Sequence, residues 1–237
     1  NLFAQKIEKD TNLMMATMRA MMTNKAMEKA FRQGDRAELA RQGGPLFKAL
    51  RDDQRITHLY LTRPDFVNLY RFHSPDEFGD KIDRITTLQA HDRQAAAHGL
   101  ELGPIGTLTL RLVMPWMRDD APIGYLEIGE EIEPLIEEIQ RSLSVDLLVL
   151  VDKHYVALDQ WKRGQVMMNR SGDWNRFASH AVLAQTVERL PVALDDRQLE
   201  QLLAGRSAEI HDQGRSLHLA TVPLDDAGKQ HIGDLVV

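Results

Sequence analysis

Apolar residues recur at helical spacing over the first 33 positions. Phe3, Ile7, Met14, Met18 and Met21 fall on one face at steps of three, four or seven, with no glycine or proline before Gly34. The pattern predicts one long helix over 1–33, with its methionines as adaptable packing material. A shorter helix is predicted over 36–52, broken near Gly43-Gly44-Pro45. From residue 56 the period changes to two. Ile56–Thr62 and Val67–His73 are strand-like, separated by Arg63-Pro64-Asp65. Residues 76–94 are polar and mixed, and read as a helix or an ordered loop. His98–Leu102, Thr107–Met114 and Ile123–Gly129 complete a first set of strands, and 130–144 reads as a helix with an acidic first turn.

The second half opens on an apolar strand, Val145–Val151. Helical pieces and loops follow over 159–204, with Asp195 or Asp196 as an N-cap. Ala208–Asp212, Ser216–Val222 and Ile232–Val237 are predicted as closing strands. An internal repeat ties the halves together. Val113-Met-Pro-Trp-Met-Arg-Asp-Asp-Ala-Pro-Ile-Gly-Tyr-Leu126 and Val222-Pro-Leu-Asp-Asp-Ala-Gly-Lys-Gln-His-Ile-Gly-Asp-Leu235 share strand, proline, Asp-Asp-Ala and Ile-Gly-x-Leu in the same order. The expected fold class is therefore α+β: a long N-terminal helix and two related antiparallel-sheet modules in tandem.

Alternation along the strands identifies candidate chemistry. Thr107–Met114 has one wholly apolar face, expected to pack on the N-terminal helix; its other face carries Arg111. Val67–His73 presents Arg71 and His73 on one face, and Ile123–Gly129 presents Tyr125 and Glu127. Aligned in one sheet, these faces would form a concave patch able to fork a small anion. Alternation alone leaves two other readings open: a solvated face, or an Arg111–Glu127 ion pair with no ligand. Asp80, Asp83 and Arg84 lie in a segment that either folds over this sheet or forms a solvated helix. Glu127-Ile-Gly-Glu-Glu131 reads as a strand running into an acidic helix start rather than as paired catalytic carboxylates.

Composition narrows the classes. The 237 residues carry 29 Lys plus Arg against 35 Asp plus Glu, a net charge of −6. With no basic run, this is not the field of a nucleic-acid binder. The absence of cysteine removes disulfides, thiolate metal sites and cysteine nucleophiles. The nine histidines have no H-E-x-x-H spacing, and no nucleotide loop or nucleophile elbow is present, so no cofactor is expected. No apolar stretch reaches the roughly 18 residues of a membrane span. Both ends fall inside patterned runs, as expected of a segment from a longer protein.

Four ordered blocks carry a resemblance. Ile56-Thr-His-Leu-Tyr-Leu-Thr-Arg-Pro-Asp65, Arg71-Phe-His-Ser-Pro-Asp-Glu-Phe-Gly-Asp-Lys-Ile-Asp-Arg84, Gly99-Leu-Glu-Leu-Gly-Pro-Ile-Gly-Thr107 and Ile123-Gly-Tyr-Leu-Glu-Ile-Gly-Glu-Glu-Ile132 are similar to the double Cache sensory domain of two-component sensor kinases. The resemblance implies two PAS-like modules along a long helix, lying outside the inner membrane between transmembrane helices. It places a helical stalk at 1–52, a membrane-distal module at 53–144 and a membrane-proximal module at 145–237. It also implies a non-enzymatic segment whose distal module takes a small anionic or zwitterionic ligand, in a receptor that is homodimeric at full length. Arg71 and Arg111 would hold the anion, His73 and Tyr60 would add hydrogen bonds, and Arg84 and Glu127 would complete the site. Related sensors of citrate and C4-dicarboxylates use Arg and His near an R-x-x-H-P run; Arg71-Phe-His73-Ser-Pro75 is one residue shorter. Two alternatives stand beside this reading. One is a ligand-free dimerisation or partner-binding module; the other is a metal-dependent hydrolase using His58, His73 or His98.

Overall fold

A computed structural model describes residues 2–237. The N-terminal pattern forms two helices rather than one: α1 (Leu2–Met22) and α2 (Lys25–Gln33). The expectation of a single helix over 1–33 fails at Asn24. Its side chain accepts a hydrogen bond from the Met27 backbone N–H at 3.0 Å, starting a new helix where apolar periodicity gives no signal. Gly34, at φ +67°, ends α2, and Asp35 caps α3 (Arg36–Gln54). The break expected near Gly43-Gly44-Pro45 does not occur. Helix α3 runs through Pro45, with Leu39, Phe47 and Leu50 buried on either side of it. Gly43 has a packing role instead: a Cβ there would lie 2.4 Å from the Phe72 ring.

The chain then builds β1 (His58–Thr62), β2 (Asn68–Arg71), α4 (Ile85–Arg93), β3 (Ala97–Leu102), β4 (Leu108–Arg118) and β5 (Ala121–Glu131). The predicted helix start at residue 130 is corrected: Glu130 and Glu131 belong to the end of β5, and α5 spans Ile132–Leu143. Next come β6 (Leu148–Asp152), α6 (Leu158–Met167), β7 (His180–Gln185), α7 (Asp196–Gly205), β8 (Ser207–Asp212), β9 (Arg215–Asp225) and β10 (His231–Val236). Strand β7 has no counterpart among the predicted elements. Two of its six residues are alanine, and its strand conformation is set by pairing with β6.

The first sheet has the order β2-β1-β5-β4-β3 and the second β7-β6-β10-β9-β8. These are one topology used twice, and the repeated blocks occupy the equivalent hairpins β4–β5 and β9–β10. The fold is α+β with two antiparallel five-stranded sheets. The chain divides into two compact units, one running to Glu101 together with Thr109–Glu131, and a second of Leu102–Leu108 with Ile132–Val237. In the first unit the buried methionines Met14, Met18, Met21 and Met27 lie in the core. α1 packs on β5, and Phe31 of α2 stacks on Trp116 of β4 at 5.4 Å. The apolar sheet face thus meets the N-terminal helices, as alternation requires. In the second unit, Leu148, Leu150, Val182 and Val236 of the sheet pack with Leu199 and Leu202 of α7.

The repeated Ile-Gly has a steric cause. A Cβ at Gly124 would lie 2.4 Å from the Phe31 ring and 2.5 Å from the Thr62 carbonyl oxygen; one at Gly233 would lie 2.0 Å from the Leu150 carbonyl oxygen. Gly124→Ala and Gly233→Ala are expected to destabilise by about 1–3 kcal/mol. Urea denaturation of the two variants checks this.

Candidate functional site

In antiparallel strands, directly opposed residues share a face. Tyr60 of β1 opposes Arg71 of β2 and Glu127 of β5, while Glu127 also opposes Val113 of β4. One row along, Gly129 opposes both His58 and Arg111. His58, Tyr60, Arg71, Arg111 and Glu127 therefore project from one side of the first sheet. His73 lies just beyond β2. Its ring is 4.6 Å from that of His58 and 4.8 Å from that of Tyr60.

This face is buried rather than solvated: Arg111 and Glu127 are each 2% exposed. Arg111 Nη1 donates to Glu127 Oε1 at 2.5 Å, so the internal ion pair that alternation left open is present. Arg84 joins it, with Nη1 2.8 Å from both Glu127 oxygens and Nη2 donating to the Tyr60 hydroxyl at 3.3 Å. Arg84 is the residue preceding α4, so the segment after β2 does reach the sheet. Of the three candidates in that segment, Arg84 and Asp80 join the cluster, while Asp83 is exposed. Arg71 donates to Asp80 at 2.6 Å and to the Glu77 carbonyl at 2.9 Å, tying down the 74–80 segment. Its guanidinium also lies 5.2 Å from the Tyr60 ring centre.

Two buried carboxylates are not singled out by the sequence pattern. Glu101 of β3 accepts the Thr86 backbone N–H at 2.7 Å, serving as a cap for α4 that Arg84 cannot supply, and lies 3.6 Å from Arg111 Nε. Glu131 accepts from the Thr109 hydroxyl at 3.1 Å and lies 3.8 Å from His58 Nδ1. The signal for Glu131 is alternation from Glu127. His58, two residues before Tyr60, carries the same signal. Among the described residues, no group of three His, Asp or Glu is arranged to hold a metal ion.

Burial and surrounding cations set the protonation states. His58 is pushed down to about 2, first by burial and then by Arg111 and His73. His73 falls to about 4 through burial, Arg71 and Arg111. Both imidazoles are therefore neutral near pH 7, each offering one donor and one acceptor. Burial raises the Glu101 carboxyl. Burial is the largest influence on Arg84 and opposes its charge, but Glu127, Tyr60 and Glu101 together outweigh it and the net shift is upward. The Arg71 hydrogen bond lowers Asp80. No nucleophile, base and orienting group come together here.

The strand order is used twice, and one copy carries a buried ionic face. The family described as "Double sensory domain of two-component sensor kinase" matches residues 1–237, and the chain belongs to it. Solved structures agree on the fold. A domain assigned to the sensory box/GGDEF family from Vibrio parahaemolyticus has a TM-score of 0.58 at 12% identity, covering 99% of this chain and 90% of that one. The V. cholerae histidine kinase DctB sensor domain has a TM-score of 0.53 at 10% identity, with 98% and 94% covered. The Vibrio cholerae LuxQ periplasmic domain has a TM-score of 0.51 at 13% identity, with 99% and 95% covered. No curated protein matches the sequence significantly.

Two outcomes follow from the cluster. Glu127→Ala leaves Arg84 and Arg111 without their shared carboxylate, and is expected to cost about 3–5 kcal/mol by chemical denaturation. The histidines give a pH dependence with a definite sign. Their folded values lie below the ordinary 6.5, so on acidification the unfolded chain takes up protons first. Their contribution is complete above pH 6.5 and erodes towards pH 4 for His73, and lower still for His58, at up to ~1.4 kcal/mol per pH unit per residue. His58→Gln and His73→Gln together should flatten the stability profile between about pH 7 and 4; an unchanged slope would contradict the assignment.

Proposed function

We propose that this chain is the extracytoplasmic ligand-sensing domain of a transmembrane signalling receptor, with a histidine kinase, chemotaxis or diguanylate cyclase output. On this reading residues 1–52 are the stalk, 53–144 the membrane-distal module and 145–237 the membrane-proximal one. The full-length receptor is a homodimer, located in the periplasm or outside the cell. Its ligand is a small anionic or zwitterionic metabolite bound at the ionic face of the distal module. Arg71 and Arg111 hold the anionic end, His73 and Tyr60 supply neutral hydrogen bonds, and Arg84 and Glu127 set the local charge.

The observation that carries this reading is the Arg71–Asp80 pair. The Arg71 side chain is 10% exposed, but its carboxylate partner is 50% exposed. A ligand carboxylate can replace Asp80 at little desolvation cost, because Asp80 rehydrates as it leaves. The neighbouring carboxylates Glu127 and Glu101 then suit a ligand that also carries an ammonium group. Signalling requires that the ligand favour one of two conformations; equal affinity for both shifts nothing.

One observation favours a second reading, a ligand-free dimerisation or partner module. Glu127 already ion-pairs with both Arg84 and Arg111 from within the chain, and Leu13 of α1 is 45% exposed.

A thermal-shift screen of amino acids and organic acids separates the two. A ligand at about 100 times its Kd adds about 2.7 kcal/mol of apparent stability. The shift is expected to disappear in the Arg71→Ala, Arg111→Ala double variant. A shift that survives the double variant rules out this site. No shift from any compound, together with a dimer by light scattering, supports the second reading.

A further inference from the structure

The second unit contains a cavity of about 480 Å³. It is bordered by the start of β6, the segment joining β7 to α7, β9 and the end of β10. Leu148, Leu194 and Val236 on its wall belong to the buried core of this unit. Leu190, Leu217 and Leu219 pack against that core, remain half-buried and line the same space. Its polar groups are Asp146, Ser216 and His218; no lysine or arginine lines it. The ionic face of the first unit contributes nothing to it.

We propose that this cavity is a second ligand site, for a small uncharged apolar molecule carrying at most one hydroxyl or carbonyl group. The volume lies within the range of about 300–1,000 Å³ typical of small-molecule sites, and the walls are apolar with few polar groups, as such sites are. Charge disfavours anions: no lysine or arginine in the lining offsets a carboxylate, and Asp146 repels one. Leu148 and Leu194, at 4% and 1% exposure, are core residues that form the floor of the cavity. An occupant there touches both β6 and β10, adjacent strands of the second sheet.

The test uses the neutral fluorophore N-phenyl-1-naphthylamine with the whole 237-residue chain. Saturable binding of one equivalent is expected, displaced by 1-octanol and at least about tenfold less well by octanoate, whose carboxylate meets no lysine or arginine there. Leu190→Gln with Leu219→Gln should weaken probe binding at least about tenfold, because two apolar wall positions become hydrated amides. Val192→Gln, at an exposed position outside the cavity, should leave it unchanged. Should the double Leu variant not fold, Ser216→Trp, placed at an exposed position of the wall, obstructs the opening and is read in the same way. The proposal falls if binding does not saturate, if octanoate competes as well as octanol, or if the cavity variants bind the probe like the parent. It falls equally if light scattering shows a dimer that excludes the probe, because a second copy then covers the cavity.

Discussion

One carboxylate organises the first unit. Glu127 stands on the central strand of its sheet and accepts from Arg111 of the adjacent strand and Arg84 of the segment leading into α4. Removing these charges from water costs several kcal/mol per ion, and only good geometry with further hydrogen bonds offsets it. Tyr60 supplies one such hydrogen bond to Arg84, and Glu101 places a second carboxylate 3.6 Å from Arg111 Nε. The same cluster decides where α4 begins, because Glu101 accepts the helix's Thr86 N–H while Arg84 turns inward. Fold and candidate site are therefore one network: residues of the proposed site are also those that seat the helix over the sheet.

Around this fixed core lies a more exchangeable layer. Arg71 ties the 74–80 segment through Asp80 and the Glu77 carbonyl, and Arg36 stacks on Phe78 in the same segment. Asp80 and Phe78 are largely solvated, so these contacts rearrange at lower cost than those of Glu127. Neutral His58 and His73 fill the space between the two layers without adding charge. The second unit repeats the strand order with an apolar filling. The duplicated topology has thus been given two interiors, one ionic and one greasy, by the residues on one sheet face.

Much of this is legible along the chain, and the misses have physical causes. Period-two alternation puts Arg71, Arg111 and Glu127 on polar faces, and the repeated Asp-Asp-Ala and Ile-Gly blocks mark the two equivalent hairpins. The break at Asn24 is hidden because a side-chain cap overrides apolar periodicity. The continuity of α3 through Pro45 is hidden because buried neighbours on both sides hold the helix together. Strand β7 is hidden because alanine-rich segments take their conformation from the strand they pair with. Glu101 is hidden because its role is to accept from Thr86, a residue of another element.

The sequence by itself determined the class: α+β, two tandem sheets, the family, and which strand faces carry charge. The family follows from the resemblance of four ordered blocks; the rest follows from periodicity and repeats, which are local properties of the chain. Tertiary structure alone decided how those charges are used. It set which guanidinium takes which carboxylate, that Arg84 crosses to the sheet, and that one arginine keeps a solvated partner while two share a buried one. Such pairings depend on register and on loop closure between residues up to 43 positions apart, and no pattern along the chain encodes the distance between two side chains that meet only once the backbone has folded.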